Sequence, residues 1–185
     1  SGVLNVFPKE KVIVNRERAA NAYDTLSYFV AKYLVELPIN IMPCVIFGSI
    51  VYWMVGLNPD RFGYFILILM LEAVTAVSLG LAVSAAAPNV ELAQALGPLP
   101  IMLSLIFGGF FINLASLPLL AEFLPYISFL KWVFQSLAIN EFTDVTFECN
   151  LEPKTMCSNT GAEVLQRLTF TDTLGESVFG LAMMF

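Results

Sequence analysis

One carboxylate, that of Glu72, interrupts the middle of a long apolar run, residues 62–87. If this run crosses a membrane, a charge near its centre costs about 2.5–3.5 kcal/mol on insertion scales, so such side chains usually face protein or water. Glu72 is then a functional group, a partner in a structural hydrogen bond, or a protonated acid. The residue pattern leaves these alternatives open.

Two further polar side chains, Glu36 and Asn40, interrupt an earlier apolar run that contains Pro38 and Pro43. Residues four positions apart lie on one face of a helix, so these two groups can act together. The carboxylate is either near the membrane interface and hydrated, or buried and paired. We favour the hydrated alternative, because Glu36 lies close to the beginning of the run.

The three cysteines are not spaced as metal ligands. Cys44 lies within an apolar run, whereas Cys149 and Cys157 share a polar, acidic segment. In an oxidising compartment such a pair indicates a disulfide, which places this segment on the outer face of a membrane. The chain has no histidine, so we expect neither a metal site nor histidine-based catalysis.

Common catalytic and nucleotide-binding motifs are absent from the sequence. There is no GxxxxGK[ST] phosphate loop, no GxSxG and no HExxH. Gly108 and Gly109 are embedded in apolar sequence without a neighbouring basic residue, so they do not form a phosphate cradle. The net charge of −6 argues against nucleic-acid binding, which requires a basic surface. We therefore expect that this chain is not an enzyme by its own residues.

The composition is that of a membrane protein. Hydrophobic residues make up 58% of the 185 residues and charged residues only 13%, and the mean hydropathy is +0.78. Soluble domains have about 45–50% apolar and about 25% charged residues. Several long apolar runs cannot all be buried in one soluble core, so we expect an all-α membrane protein.

Turn residues and apolar runs divide the chain into segments. We expect the end of a preceding helix (1–8), a cytosolic region (9–32), three transmembrane helices (33–57, 62–87 and 90–114), re-entrant helices (117–140), an external loop (141–176) and the start of a last transmembrane helix (177–185). The basic residues before the first complete span indicate the cytosolic side. They are Lys9, Lys11, Arg16, Arg18 and Lys32. Since both ends fall within helices, we expect a fragment of a longer protein.

The most apolar run, residues 96–117, passes through the third expected span. Between Ile101 and Ile112 it is apolar on every face apart from Ser104 and the glycine pair. A helix that is hydrophobic all round is buried in a large core or in lipid. Its surroundings are therefore lipid, other helices or an apolar cargo.

Several sequence blocks, in collinear order, resemble those of one family. They are FPKEKVIVNRERAANAYDTLSYFVAKYLVELP, IVYWMVGLNP, FGGFFINLASLP and FLKWVFQSLAINEF, with Cys149 behind the last. Together they are similar to the transmembrane domain of G-subfamily ABC transporters, the White-type half-transporters that include the breast-cancer-resistance multidrug exporter. The resemblance extends over essentially the whole chain, from the end of the second to the start of the sixth transmembrane helix.

This resemblance implies an ABC exporter fold with a coupling helix that contacts a nucleotide-binding domain. Arg16, Glu17 and Arg18 match that helix. The residues alone leave two alternatives, a solvated interfacial helix and a helix that docks on a partner domain. The resemblance favours the docking helix.

The resemblance also implies a substrate cavity, a plug and a disulfide. Ile101, Met102 and Leu105 match cavity-facing positions, and Asn40 lies near a position that affects substrate choice. Phe110 and Phe111 match an apolar plug between the cavity and the exit, where the multidrug member has leucines; phenylalanine keeps the seal but changes its shape. Cys149 and Cys157 match the disulfide of the external loop.

The partners implied are a nucleotide-binding domain, a second half-transporter in a homodimer or heterodimer, the lipid bilayer and a hydrophobic small-molecule substrate. ATP and Mg²⁺ are expected in the nucleotide-binding domain, and no cofactor is expected on this chain. The additional loop cysteine that links subunits in the multidrug member is absent here, so no covalent dimer is expected. Glu72 has no counterpart in that member.

The function implied is the membrane part of an ATP-driven exporter of hydrophobic or lipid-like molecules, located in the plasma membrane rather than an organelle membrane. An alternative is a multispan membrane scaffold or assembly subunit that transports nothing. A channel is disfavoured, because the rings of polar residues that line pores are lacking.

Overall fold

The computed structural model describes residues 10, 13–14, 16–17, 19–20, 23–109, 124–146, 160–168, 170 and 174–183. Within these residues the chain is mostly helical and forms no strands, apart from one isolated antiparallel bridge between Thr146 and Thr160. The all-α class is therefore confirmed for this part of the chain. The re-entrant helices and the disulfide-containing loop remain predictions.

The helices follow one another with short connections. They are α1 (Thr25–Val55), α2 (Phe62–Ala86), α3 (Val90–Leu96), α4 (Pro98–Ile106), α5 (Leu124–Ile127), α6 (Phe129–Phe142), α7 (Gly161–Arg167) and α8 (Leu174–Met183). A 3₁₀ turn, Pro59–Arg61, joins α1 to α2.

Two of the described helices are long and apolar enough to cross a membrane, α1 with 31 residues and α2 with 25. About 20 residues are required to span the hydrocarbon core. Helix α1 continues through Pro38 and Pro43, as membrane helices do where neighbouring groups satisfy the freed backbone. It begins at Thr25, earlier than the expected start at residue 33, since no helix-breaking residue lies between them.

Helices α1 and α2 form an antiparallel hairpin with a locally satisfied turn. Asn58 Oδ1 accepts a hydrogen bond from Asp60 N (3.2 Å), and the Tyr52 hydroxyl donates to the carbonyl of Asn58. The Tyr52 ring is fully buried against Phe62 and Phe65, with ring centroids 5.1 and 4.7 Å away. Aromatic packing thus supports the polar turn from within.

The third expected span, 90–114, differs from the expectation. Helices α3 and α4 are nearly continuous, because Gly97 between them keeps helical angles (φ −54°, ψ −45°). However, α4 ends at Ile106, and Gly109 has a φ of 84°. This left-handed conformation costs glycine little and other residues more. The apolar helix Val90–Ile106 is therefore shorter than a full span within the described residues.

Helix α6 organises the remaining packing. Its buried Val133 contacts Ile68 of α2, and partly buried Val178 of α8 packs on the same cluster. Its N-cap residue, Ser128, accepts a hydrogen bond from Lys131 N (3.2 Å) and donates one to Ser104 O of α4 (2.7 Å). Helix α6 thereby contacts α2, α4 and α8.

A polar clamp ties the α1–α2 turn to the end of α6. Asn58 N donates to Glu141 Oε1 (3.1 Å), and Arg61 forms an ion pair with Asp144 (3.1 Å). Asn140 Nδ2 also donates to Arg61 O (3.4 Å). The turn and the end of α6 consequently lie at the same end of the bundle.

Candidate functional site

A pocket of about 460 Å³ lies between α1, α2, α4 and α6. Small-molecule pockets commonly measure about 300–1,000 Å³, so this volume suits one small ligand. Apolar side chains and glycines form most of its wall, including Val77 and Val83 of α2 and Phe129 and Leu130 of α6. The pocket is therefore an apolar chamber within a single chain.

Small residues on α2 create this space. Ala73, Ala76, Gly80 and Val83 recur every three or four residues and all line the pocket. Such spacing places them on one face of a helix. Because three of the four have no side chain beyond a methyl group, α2 leaves a volume between itself and α1 that larger residues would fill.

Three polar side chains line the pocket: Asn40, Cys44 and Glu72. The Asn40 amide donates to Glu36 O (2.8 Å) and Glu36 Oε2 (3.3 Å), and Cys44 Sγ lies 3.8 Å from Leu69 O as a weak donor. Among the residues that the structure describes, neither the Glu72 carboxylate nor the Asn40 carbonyl oxygen has a hydrogen-bond partner. Two hydrogen-bonding groups thus remain available to a ligand.

The structure brings together some of the residues that the sequence assigned to a substrate cavity. Asn40 and Ile101 line this pocket. Met102 and Leu105 do not; they are exposed on α4, by 59% and 45% respectively. The substrate-binding role of all four remains a prediction. Sequence reasoning missed the association of Glu72 with Asn40, although the position of Glu72 in mid-span was a signal.

Lys32 of α1 pairs with two carboxylates. Its Nζ lies 2.8 Å from Glu10 Oε2 and 3.5 Å from Glu36 Oε1. The side chains of Lys32 and Glu36 are only 14% and 13% exposed. The favoured interpretation of Glu36 as a hydrated carboxylate is therefore wrong, since it is largely buried and paired with Lys32 and Asn40.

Two stacked tyrosines extend these contacts toward the predicted coupling helix. The Tyr28 hydroxyl donates to Glu10 Oε2 (2.9 Å), and the Tyr23 hydroxyl donates to Glu17 Oε2 (2.6 Å). The rings of Tyr23 and Tyr28 stack with centroids 6.0 Å apart. The hydrogen bond to Glu17, with smaller contributions from desolvation and charge, raises the pKa of Tyr23, so the phenol stays protonated at neutral pH.

These contacts form a polar chain, defined as Glu17, Tyr23, Tyr28, Glu10, Lys32, Glu36 and Asn40. The chain begins in the segment predicted to dock on a nucleotide-binding domain and ends at a residue that lines the pocket. Charge-assisted hydrogen bonds are short and directional, so neighbouring members constrain one another. The pocket and the predicted coupling segment are thus physically connected.

The remaining predicted site residues lie mostly outside the described residues. These are Arg18, the plug residues Phe110 and Phe111, and the cysteines Cys149 and Cys157. Arg16 and Glu17 are described and exposed. In the described part of the chain, no group of three or more histidine, cysteine, aspartate or glutamate side chains could hold a metal ion.

Comparisons with known proteins agree on one family. Residues 1–142 match the family described as ABC-2 type transporter. The chain is 37% identical over 169 residues to ABC transporter G family member 7 of Arabidopsis thaliana, an alignment covering 90% of this chain and 23% of that protein. It is 32% identical over 187 residues to Protein white of Ceratitis capitata, covering 98% of this chain and 27% of the relative.

A third relative is the ABC transporter ATP-binding protein/permease wht-1 of Caenorhabditis elegans. It is 32% identical over 189 residues, which cover 97% of this chain and 28% of the relative. The chain thus spans about a quarter of the length of these curated relatives.

Proposed function

The chain belongs to the ABC-2 type transporter family, as a transmembrane segment of the G-family and White type, and from this we propose that it is the membrane part of an ATP-driven exporter. The cargo we propose is a hydrophobic or lipid-like small molecule, moved across the membrane by alternating access. An ABC-2 membrane domain is not itself catalytic. ATP hydrolysis would take place in a nucleotide-binding domain outside this chain, with ATP and Mg²⁺ bound there.

The observation that carries this proposal is the apolar pocket joined to the polar chain. A cargo that enters the pocket removes apolar surface from water, and each Å² so buried contributes about 25 cal/mol. Its wall comes from helices α1, α2, α4 and α6, so a relative movement of these helices changes its volume. The pocket can therefore bind in one arrangement and release in another, as alternating access requires.

The polar chain supplies a route by which the nucleotide-binding domain can influence the pocket. A displacement of Glu17 acts on Tyr23, and the ring contact and the Glu10–Lys32 ion pair carry it to α1. Glu36 and Asn40 then connect α1 to the pocket wall. The relative named as an ATP-binding protein/permease supports a partnership between the two kinds of domain.

The exposed apolar face of α4 supports assembly as a dimer. Ile101, Met102 and Leu103 are between 50% and 59% exposed within the described chain. Large exposed apolar surfaces mark protein or membrane contacts. We place the second half-transporter on this face, with the predicted plug residues Phe110 and Phe111 closing the path beyond it.

The experiment is ATP-dependent uptake into vesicles that contain the full-length protein, with a panel of lipids, sterols and xenobiotics. We expect uptake of at least one class. Ala76→Phe, which fills the pocket, should abolish that uptake while basal ATP hydrolysis continues. Phe110→Ala combined with Phe111→Ala should uncouple hydrolysis from uptake.

Two results would count against the proposal. Undiminished uptake by Ala76→Phe would remove the pocket from the transport path. A folded dimer that hydrolyses ATP but takes up no member of the panel would favour the scaffold alternative.

A further inference from the structure

Glu72 is the ionisable group of the pocket, and we propose that it recognises the head of the ligand. The ligand class is an apolar molecule that carries a single hydrogen-bond-donating head, either an ammonium or a hydroxyl. This inference deepens the proposed function, on which it rests, because it names the chemistry of the cargo. It assigns a role to a side chain that neither the family resemblance nor the fold explains.

The position of Glu72 is costly unless something compensates for it. It lies in the interior of α2, which is otherwise apolar for most of its length. Charged side chains at such depths are rare, face a bundle interior or cavity, and usually have a partner. Among the described residues, however, no hydrogen bond or ion pair engages its carboxylate. The partner is therefore sought in what the pocket holds.

The pocket wall around Glu72 offers no competing cation. Its other polar groups are the Asn40 amide and the Cys44 thiol, and every other lining residue is apolar or glycine. The nearest cation of the polar chain, Lys32, is already shared by Glu10 and Glu36. The pocket therefore presents one acidic group in an apolar chamber, which suits an amphipathic ligand with one donating head.

Asn40 adds a second acceptor. Because its amide nitrogen donates to both Glu36 O and Glu36 Oε2, the orientation of the side chain is fixed. Its carbonyl oxygen is left to accept from a ligand. An ammonium carries three donors and a hydroxyl one, so both heads can be bound by these acceptors. An acidic head would be repelled by Glu72.

The volume sets the size of the ligand body. At about 460 Å³ the pocket accommodates a compact ring system and has little room for a long chain. Adamantane derivatives test this directly, because an aminomethyl, a hydroxymethyl or a methyl substituent changes the head while the body stays the same. The three probes therefore separate recognition of the head from partition into lipid.

The experiment is equilibrium binding of the three radiolabelled adamantane probes to full-length protein in nanodiscs. Wild type should bind the aminomethyl or the hydroxymethyl probe about tenfold or more tightly than the methyl probe, as a hydrogen bond to a charged group implies. Glu72→Leu should remove this preference and leave methyl-probe binding within about twofold. Glu72→Gln separates the heads: it should weaken ammonium binding about tenfold but keep hydroxyl binding.

The matched control is Glu91→Gln, which makes the same chemical change at an exposed residue of α3 that does not line the pocket. It should bind all probes as wild type does. Unfolding midpoints of every variant are measured in the same nanodiscs, and Glu72→Gln, being isosteric, keeps the test valid if Glu72→Leu fails to fold.

Three results overturn the inference: equal affinity of wild type for the three probes, unchanged head preference in Glu72→Gln and Glu72→Leu, or no saturable binding to wild type. The proposed function fails separately. Binding that depends on Glu72 without ATP-dependent uptake of any cargo sinks the exporter and leaves the site. Uptake that ignores the head and Glu72 does the reverse.

Discussion

Gly180 marks the closest approach between α8 and α6. A Cβ atom built on this residue would lie 2.5 Å from Cε3 of the Trp132 ring, and other ring atoms are nearly as close. An indole ring cannot yield as the end of a flexible side chain can. Close approach through small residues is how membrane helices gain packing energy without a hydrophobic driving force between them. The missing side chain therefore sets the separation of the two helices.

Gly180→Ala should lower the free energy of unfolding by about 1–3 kcal/mol, because the added methyl group must displace Trp132 or separate the helices. Thermal unfolding of the full-length protein in nanodiscs measures the change as a lower midpoint. Gly175→Ala is the control on the same helix, since a Cβ there meets nothing within 4 Å. It should be neutral or slightly stabilising. Equal midpoints for wild type and Gly180→Ala would contradict the tight contact.

At this scale the sequence predicts some contacts and conceals others. Lys32 and Glu36 are four residues apart, so their pairing was readable from the sequence, and the hydrated interpretation of Glu36 overlooked it. Gly180 looks like any glycine of an apolar helix, because its partner Trp132 is distant in the chain. Glu72 was recognised as an anomaly, but its place beside Asn40 depends on how α1 packs on α2.

At the scale of elements, the polar chain ties α1 to the segment before it. Lys32 holds two carboxylates, Glu10 from that segment and Glu36 from α1 itself, and is only 14% exposed. Removing one member of a largely buried pair leaves an uncompensated charge, which costs more than the pair contributes. Lys32 is thus the residue on which the connection between the two elements depends.

Lys32→Met should lower the free energy of unfolding by about 1–3 kcal/mol, less than the cost at a fully buried pair, because Glu10 is partly exposed to solvent. Adding Glu10→Gln should recover part of the loss, since one of the two unpaired charges is removed. Chemical denaturation of the three variants and wild type forms a double-mutant cycle. Strictly additive effects of Lys32→Met and Glu10→Gln would show that the two residues do not interact.

The ends of elements were harder to predict than their existence. The apolar runs predicted both long helices, and the polar turn Asn58–Arg61 predicted that they are antiparallel neighbours. The end of α4 at Ile106 was not predicted, because glycine pairs occur both inside and at the ends of membrane helices. The positive φ of Gly109 follows from the surrounding structure and has no signature in the sequence.

For the whole molecule, the exporter proposal requires that motion in the nucleotide-binding domain reaches the pocket. Glu17 lies at the outer end of the polar chain and is exposed, with Tyr23 as its partner. An exposed hydrogen bond contributes little to stability, so its role can be tested without unfolding the protein.

Glu17→Ala combined with Arg18→Ala should therefore reduce cargo-stimulated ATP hydrolysis about tenfold in the full-length protein and leave the basal rate and the unfolding midpoint near wild type; a tenfold change corresponds to about 1.4 kcal/mol of coupling. The measurement compares hydrolysis with and without saturating cargo. Glu91→Gln, an exposed carboxylate outside the polar chain, is the control. Normal stimulation in the double variant would exclude the coupling role.

Membership of the family and the membrane class followed from composition and from ordered sequence blocks, because both are distributed over most of the chain. The pocket could not be predicted, since it arises where four helices meet and α2 presents small residues to α1. Ile101 and Asn40 were assigned to one cavity by resemblance, and their shared pocket agrees with that grouping. Met102 and Leu105 instead face away from it.

The polar clamp has a consequence for the order in which the protein is built. Its contacts, Asn58 with Glu141 and Arg61 with Asp144, each join residues 83 positions apart. During synthesis at about 5–20 residues per second, α1 and α2 emerge several seconds before α6. The hairpin can enter the bilayer meanwhile, since Tyr52 and Asn58 satisfy its turn locally. Closure of the clamp is therefore a late step of biogenesis, and its loss should delay maturation while insertion of the hairpin proceeds.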